Sequence, residues 1–233
     1  MSAMLDALRL MVRGTYALQK LRIQTGLRLC ANFRDKLKQD PIEEEPTEEG
    51  ELSERAQSII DVLKADYRRL TDGVARNRTL PRREGFVGAG VISDFSELVI
   101  IHQYLALERE ERAQFRFIGE ELEAVPIFTE WLDKQRGIGP AMAAVLVTYF
   151  DIHKAERPSQ FWAFAGLDVG PGIKSDPNNK LGRSRRRKEH LIEREYVDRH
   201  GKTKKKMSTT FDPWLQSRLL GVLGASLLRS GSP

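Results

Sequence analysis

Apolar residues at Met4, Leu8, Met11, Leu18 and Leu21 recur at spacings of 4, 3, 7 and 3, with Arg9, Arg13 and Lys20 opposite them. That period predicts an amphipathic first helix with a basic outer face. A second helix is expected from about Leu52 to Leu70, striped by Leu52, Ala56, Ile59, Leu63 and Leu70. From Asp72 to Gly90, Pro81 and four glycines interrupt the periodicity and mark a basic joint. Ser93 or Asp94 is placed to cap a third helix through Phe95, Leu98, Ile101 and Leu105, continuing into LEREERAQFRFIGEELEA. Pro126 ends or kinks it, because proline lacks the amide and clashes with the preceding turn.

The C-terminal third has shorter elements. Glu123 to Gln135 reads as one short helix with Val125, Phe128, Trp131 and Leu132 on its apolar side. The turn from Arg136 to Pro140 leads into the helix AMAAVLVTYFD, with Pro140 suited to a first helical position. The segment HLIEREYVDRHGKTKKKMSTTF alternates apolar and polar residues around His200-Gly201, which predicts a β-hairpin. A last helix is expected from Trp214 to Leu228. The fold class is therefore mainly α. Residues 1–122 form a helical region with an acidic linker at 40–54, and residues 123–233 form a second domain with a small β-hairpin.

Composition narrows the class. The 233 residues are 40% hydrophobic and 30% charged, too mixed for global disorder. The longest apolar stretch, Ala141 to Phe150, is about half of the ~20 residues a membrane helix needs, so no membrane partner is expected. Asp6 and the lack of a cleavage-type site argue against export, and the single Cys30 excludes an internal disulfide or a cysteine-rich zinc site. A reducing, cytoplasmic compartment is the expectation.

The net charge of +5 hides strong segregation. Residues 1–38 carry eight basic and two acidic groups, residues 40–54 carry eight carboxylates and no base, and residues 174–206 carry 13 basic and five acidic groups. Such blocks point to a surface that faces a polyanion and to an acidic, solvated connector.

Two features carry candidate chemistry. In GIGPAMAAVL, Gly137 and Gly139 flank Ile138 at the start of a helix, the pattern of a helix–hairpin–helix turn. Its exposed amides and the helix dipole suit one phosphate, Ile138 plugs the turn, and Ala143 lets the helices touch. A plain corner without a ligand uses the same residues. The second feature is GRSRRRKEH, with Arg183, Arg185, Arg186, Arg187 and Lys188, continued by Lys202, Lys204, Lys205 and Lys206. Guanidinium forks and ammonium charges bind phosphate without reading sequence; a solvated basic loop is the alternative.

The run from Arg136 to Gly170 resembles the C-terminal domain of the bridge-RNA-type insertion-sequence transposases, the group that includes the pilin-gene invertases. The matching residues are Gly137, Gly139, Pro140 and Ala143, then Pro158, Ser159, Phe161, Trp162, Phe164, Ala165, Gly166 and Leu167, then Arg185 to Lys188. They cover roughly 130–230, and LQKLRIQTG with VGAGVIS resembles the helical leader of an outlying branch. The resemblance implies a protein of DNA transposition or site-specific recombination. It implies double-stranded DNA as partner, a guide RNA, and a serine nucleophile after the A-G-L segment; self-association is expected instead from the long helices with a basic outer face, which suit a coiled-coil or bundle arm. Ser175 is the candidate, with Ser184 the second choice.

The chain departs from that pattern in three ways. Residues 1–125 read as helices, without the strand-borne carboxylates of a ribonuclease-H-like domain. No glycine follows Ser175. Relatives continue beyond the position of Ser232-Pro233, so a truncated copy is expected. No cofactor is expected in the chain itself, and Mg2+ enters only if catalysis survives. Whether it is an enzyme is left open. The alternative is a non-catalytic architectural or regulatory DNA-binding remnant of a mobile element; a third reading is a helical protein that meets an acidic protein partner. No metal site is expected: His102, His153, His190 and His200 lack ligand spacing, and Asp151, Asp168 and Asp176 are read as caps. Trp131, Phe161, Trp162 and Phe164 are assigned to core packing, with base stacking as the alternative.

Overall fold

The structure is a computed structural model that describes residues 2–38, 51–71, 80–170, 183–184 and 191–231. It is mainly helical with a small antiparallel hairpin near the C-terminus. The chain divides into two compact units, one formed by Asp6–Val125 and the other by Pro126–Pro233 with Met1–Leu5. Most of the acidic linker, residues 40–50, lies outside the described residues.

Three helices build the first unit: α1 (Ser2–Phe33) from Asp6 onward, α2 (Glu54–Thr71) and α3 (Phe95–Leu122). The buried stripe of α1 is rotated from the expected one. Leu8, Val12, Tyr16, Ile23, Leu29, Cys30 and Phe33 are buried, whereas Leu21 is exposed. Thr15 and Thr25 are also buried, because each hydroxyl donates at 2.8 Å to the carbonyl four residues back, that of Met11 and of Leu21. A threonine satisfied in this way belongs to the apolar face. Ile23, Leu29, Cys30 and Phe33 of α1 form one core with Ile59, Ile60 and Leu63 of α2 and Leu98, Ile101 and Tyr104 of α3. Each such aliphatic side chain contributes up to about 1.5–3 kcal/mol by leaving water.

Polar contacts fix the helices against one another. Arg22 of α1 donates to the Glu111 carboxylate of α3 and, at 3.4 Å, to the Tyr104 hydroxyl; Glu111 is buried and Arg22 largely so. Burial works against the guanidinium charge, but Glu111 and Tyr104 outweigh it and hold Arg22 firmly protonated. Lys64 of α2 reaches Glu108 of α3 at 2.8 Å. Asp94 caps α3 by accepting from the amides of Ser96 (2.8 Å) and Glu97 (3.1 Å), while Glu97 accepts from the Ser93 amide at 2.8 Å. The VGAGVIS loop is held by buried Asp66, which accepts from the Val91 amide at 2.8 Å. Among the described residues of this unit, the extended pairing is limited to one isolated bridge between Ala89 and Ile92.

The second unit contains α4 (Pro126–Glu130), a 3-10 turn (Leu132–Lys134), α5 (Pro140–Tyr149), α6 (Pro158–Phe164), the short pair β1 (Val169–Gly170) and β2 (Arg183–Ser184), the hairpin β3 (Leu191–Val197) and β4 (Thr203–Thr209), then α7 (Pro213–Ser217) and α8 (Ala225–Arg229). The single helix expected from Glu123 to Gln135 is not formed. Pro126 cannot continue a helix but can open one, so the chain restarts there and tightens into the 3-10 turn after Trp131. Pro140, Pro158 and Pro213 open their helices in the same manner. The last predicted helix is present from Pro213 to Arg229, but Arg218–Gly224 is wound as a π-helix between α7 and α8. Among the described residues, no helix is long and apolar enough to cross a membrane.

Candidate nucleic-acid interface

The Gly137–Pro140 turn is the first component. Gly137 has a φ of +85°, and a Cβ on it would lie 2.9 Å from the Ser230 hydroxyl oxygen and 3.2 Å from Leu227 Cα. Both the left-handed backbone and the close approach of α8 require glycine there. Gly139 differs: it is the N-cap of α5 with φ −83°, and a Cβ on it would meet nothing within 4 Å. Its carbonyl accepts from the amides of Met142 (3.0 Å) and Ala143 (2.9 Å), which starts the helix. Pro140 has no amide, so Gly139 and Ala141 supply the N–H groups of this helix start. Among the described residues, neither is bonded to a backbone carbonyl. Ala143 is fully buried, whereas Ile138, expected to plug the turn, is only half-buried.

The A-G-L segment is an anchor. Helix α6 ends in a Schellman motif: the Gly166 amide donates to Ala163 at 3.1 Å and the Leu167 amide to Trp162 at 2.7 Å, with Gly166 at φ +72°. A Cβ on Gly166 would lie 2.5 Å from the Phe211 ring, and the Gly166 carbonyl accepts from Gln216 at 2.6 Å. Phe211 is buried, and its carbonyl accepts from the Thr209 hydroxyl at the end of β4 at 2.8 Å. The motif thus fixes the base of the β-hairpin to α6 and α7.

Of the four aromatic residues assigned to core packing, Phe161 alone is half-buried, while Phe164, Trp131 and Trp162 are exposed. Phe161 and Phe164 lie edge-on to Phe150, with ring centroids 5.2 and 6.2 Å away. Trp131 and Trp162 are more than half exposed, at 55% and 56%, so core packing is not their role.

The β3–β4 hairpin closes through Asp198. Its carboxylate accepts from the amides of His200 (2.8 Å) and Lys202 (3.0 Å) and pairs with the Lys204 ammonium at 2.8 Å. Gly201 donates to the Asp198 carbonyl at 2.9 Å with φ +74°, a turn followed by a bulge. Lys204, then the two amides, hold the Asp198 carboxyl below the usual carboxylate range.

This turn fixes a register in which directly opposed residues share a face. One face carries the pairs Ile192 with Ser208, Arg194 with Lys206, and Tyr196 with Lys204. The other carries Leu191 with Thr209, Glu193 with Met207, Glu195 with Lys205, and Val197 with Thr203. The first face is basic with one aromatic ring; on the second, Lys205 lies 3.5 Å from Glu193. Every β3 residue is exposed, as are most of β4, so neither face is packed on a core. Arg194 and Lys206 form the central pair of the seven. Two cations directly opposed cost roughly 0.2–1 kcal/mol relative to a neutral pair. Among the described residues, neither has a carboxylate partner.

The sequence candidates are thus distributed as follows. Gly137, Ile138 and Gly139 sit together in one turn, while Lys204 and Lys205 point to opposite faces of the ribbon. Arg183 and Ser184 are described as backbone only, in β2. Ser175, Asp176, Arg185, Arg186, Arg187, Lys188 and His190 lie outside the described residues. Lys206 belongs to the expected basic segment, whereas Arg194 and Tyr196 are additions from the structure; alternation within LIEREYV and TKKKMST carries the signal, but only the turn type sets which cations coincide.

Elsewhere, Asp151 behaves as a cap, accepting from the His153 amide at 3.0 Å with Lys154 at 3.4 Å. His102 Nδ1 lies 2.6 Å from the Tyr67 hydroxyl. Among the described residues, no group of three or more His, Cys, Asp or Glu is placed to hold a metal ion. Compared with protein-family models, with curated proteins and with solved structures, the chain has no match.

Proposed function

We propose that this protein is a transposase-like DNA-binding protein that grips phosphates through the Gly137–Pro140 turn and the basic segment 183–206, and serves DNA transposition or site-specific recombination. The observation that carries the reading is the central Arg194–Lys206 pair on a solvent-exposed ribbon face. Holding two cations opposite each other weakens the hairpin, and a polyanion removes that cost. The open Gly139 at the head of α5 adds amides that suit a phosphate. The resemblance in GIGPAMA and in the segment from Pro158 to Leu167 supplies the transposase class. Double-stranded DNA is the partner on this reading, with a guide RNA and a second copy of the chain as further partners, and the cytoplasm as the compartment.

Strand transfer by Ser175 with Mg2+ is the enzymatic form of this proposal, and a non-catalytic architectural or regulatory role is its other form. Supercoiled plasmid incubated with the pure chain and magnesium separates the two. Cleavage that disappears in Ser175→Ala supports the enzyme; binding without cleavage supports the architectural form. Absence of any affinity for DNA sinks both.

A further inference from the structure

We infer that the β3–β4 ribbon enters the major groove of double-stranded DNA, with the face bearing Arg194, Tyr196, Lys204 and Lys206 turned toward the duplex. The inference rests on the DNA-binding reading above and specifies which surface does the reading.

Dimensions and charge both favour the groove over a flat phosphate contact. A seven-residue two-stranded ribbon is roughly 23 Å long, and the B-form major groove, about 12 Å wide, admits such a ribbon. Packing does not stand in the way, because residues on both faces and both strands are exposed while Phe211 fixes the base. The two faces are also electrostatically unequal. Glu193 and Glu195 lie on the face away from the proposed contact, where their charge is kept from the phosphates. On the inward face Asp198, at the tip, is already neutralised by Lys204. Arg194 and Lys206 remain, at the midpoint of the ribbon, as exposed cations that have no carboxylate partner among the described residues. An arginine fork matches the paired acceptors of guanine in this groove. Duplex RNA is a poor substitute, since its A-form major groove is too deep and narrow for side chains to read.

The test uses the full chain and a fluorescent 20-base-pair DNA duplex, with a duplex RNA of the same sequence beside it. Wild-type protein is expected to bind the DNA at least about tenfold more tightly than the RNA. The double variant R194Q/K206Q should lose about tenfold or more of the DNA affinity. A charge-matched control, R68Q/R116Q on exposed positions of α2 and α3, should change it by less than about threefold. Thermal unfolding verifies each variant's fold, and R194K/K206R, which keeps both charges, should recover most of the affinity if the inference holds. Equal losses in the two Gln doubles, or equal affinity for DNA and RNA duplexes, overturn the groove contact while leaving the DNA-binding reading in place. A wild-type chain with no affinity for DNA overturns both.

Discussion

Arg194 and Lys206 stand directly opposite each other across the β3–β4 ladder, and both are exposed. The repulsion makes this pair a trade-off between stability and binding. Lys206→Thr replaces it with a pair of good strand propensity, so the hairpin should gain roughly 0.2–1 kcal/mol while DNA affinity falls. Hydrogen exchange of the hairpin amides reads the first quantity and a duplex titration the second. A variant that loses stability and keeps affinity contradicts the assignment.

The two glycines of the Gly137–Pro140 turn should respond differently. Gly137→Ala forces a side chain into left-handed backbone and against α8, and should cost at least about 1–2 kcal/mol of stability. Gly139→Val enters open space, so any loss of stability should stay within about 1 kcal/mol, the scale of an N-cap change. Its effect should fall on DNA affinity, about 1–3 kcal/mol, through crowding of the amides that hold a phosphate. Full-strength binding by a folded Gly139→Val protein reduces the turn to a corner.

Glu111→Ala leaves the Arg22 guanidinium buried without its carboxylate. Removing one partner of a buried pair costs about 3–5 kcal/mol, so a clear drop in Tm is expected. A loss below 1 kcal/mol, the scale of an exposed pair, would show that water reaches Arg22.

Acid should loosen the ribbon tip. The Asp198 carboxyl is lowered in the folded chain, so its contribution is complete above the unfolded value and is lost as pH falls through the folded one, below about pH 4. Protonation weakens the bonds from Lys204, Lys202 and His200. Amide exchange at Gly201 and Lys202 should accelerate at low pH in the wild type. Asp198→Asn should show that fast exchange already at neutral pH, and slow exchange there speaks against the turn being held by charge.

Local chemistry decided how much of this was legible in advance. Asp94, one of the two caps expected for α3, and Pro140 opening α5 could be read directly, since caps and N1 prolines act within one turn. The α1 face was misread because Thr15 and Thr25 are polar as letters but apolar once their hydroxyls bond back to the helix. The break at Trp131 and the π-helical stretch after Ser217 depend on packing, which periodicity does not encode. The hairpin was visible as alternation. Its basic face was not, because a shift of one residue in register exchanges which cations share a side.

The central claim, that the C-terminal unit holds a polyanion by its phosphates, is tested most directly by the salt dependence of DNA binding. About six phosphate contacts predict that log affinity falls against log salt with a slope of roughly −5. A fluorescent duplex titrated by the full chain from low to moderate salt measures it. A slope near that value supports the account; a flat response contradicts it.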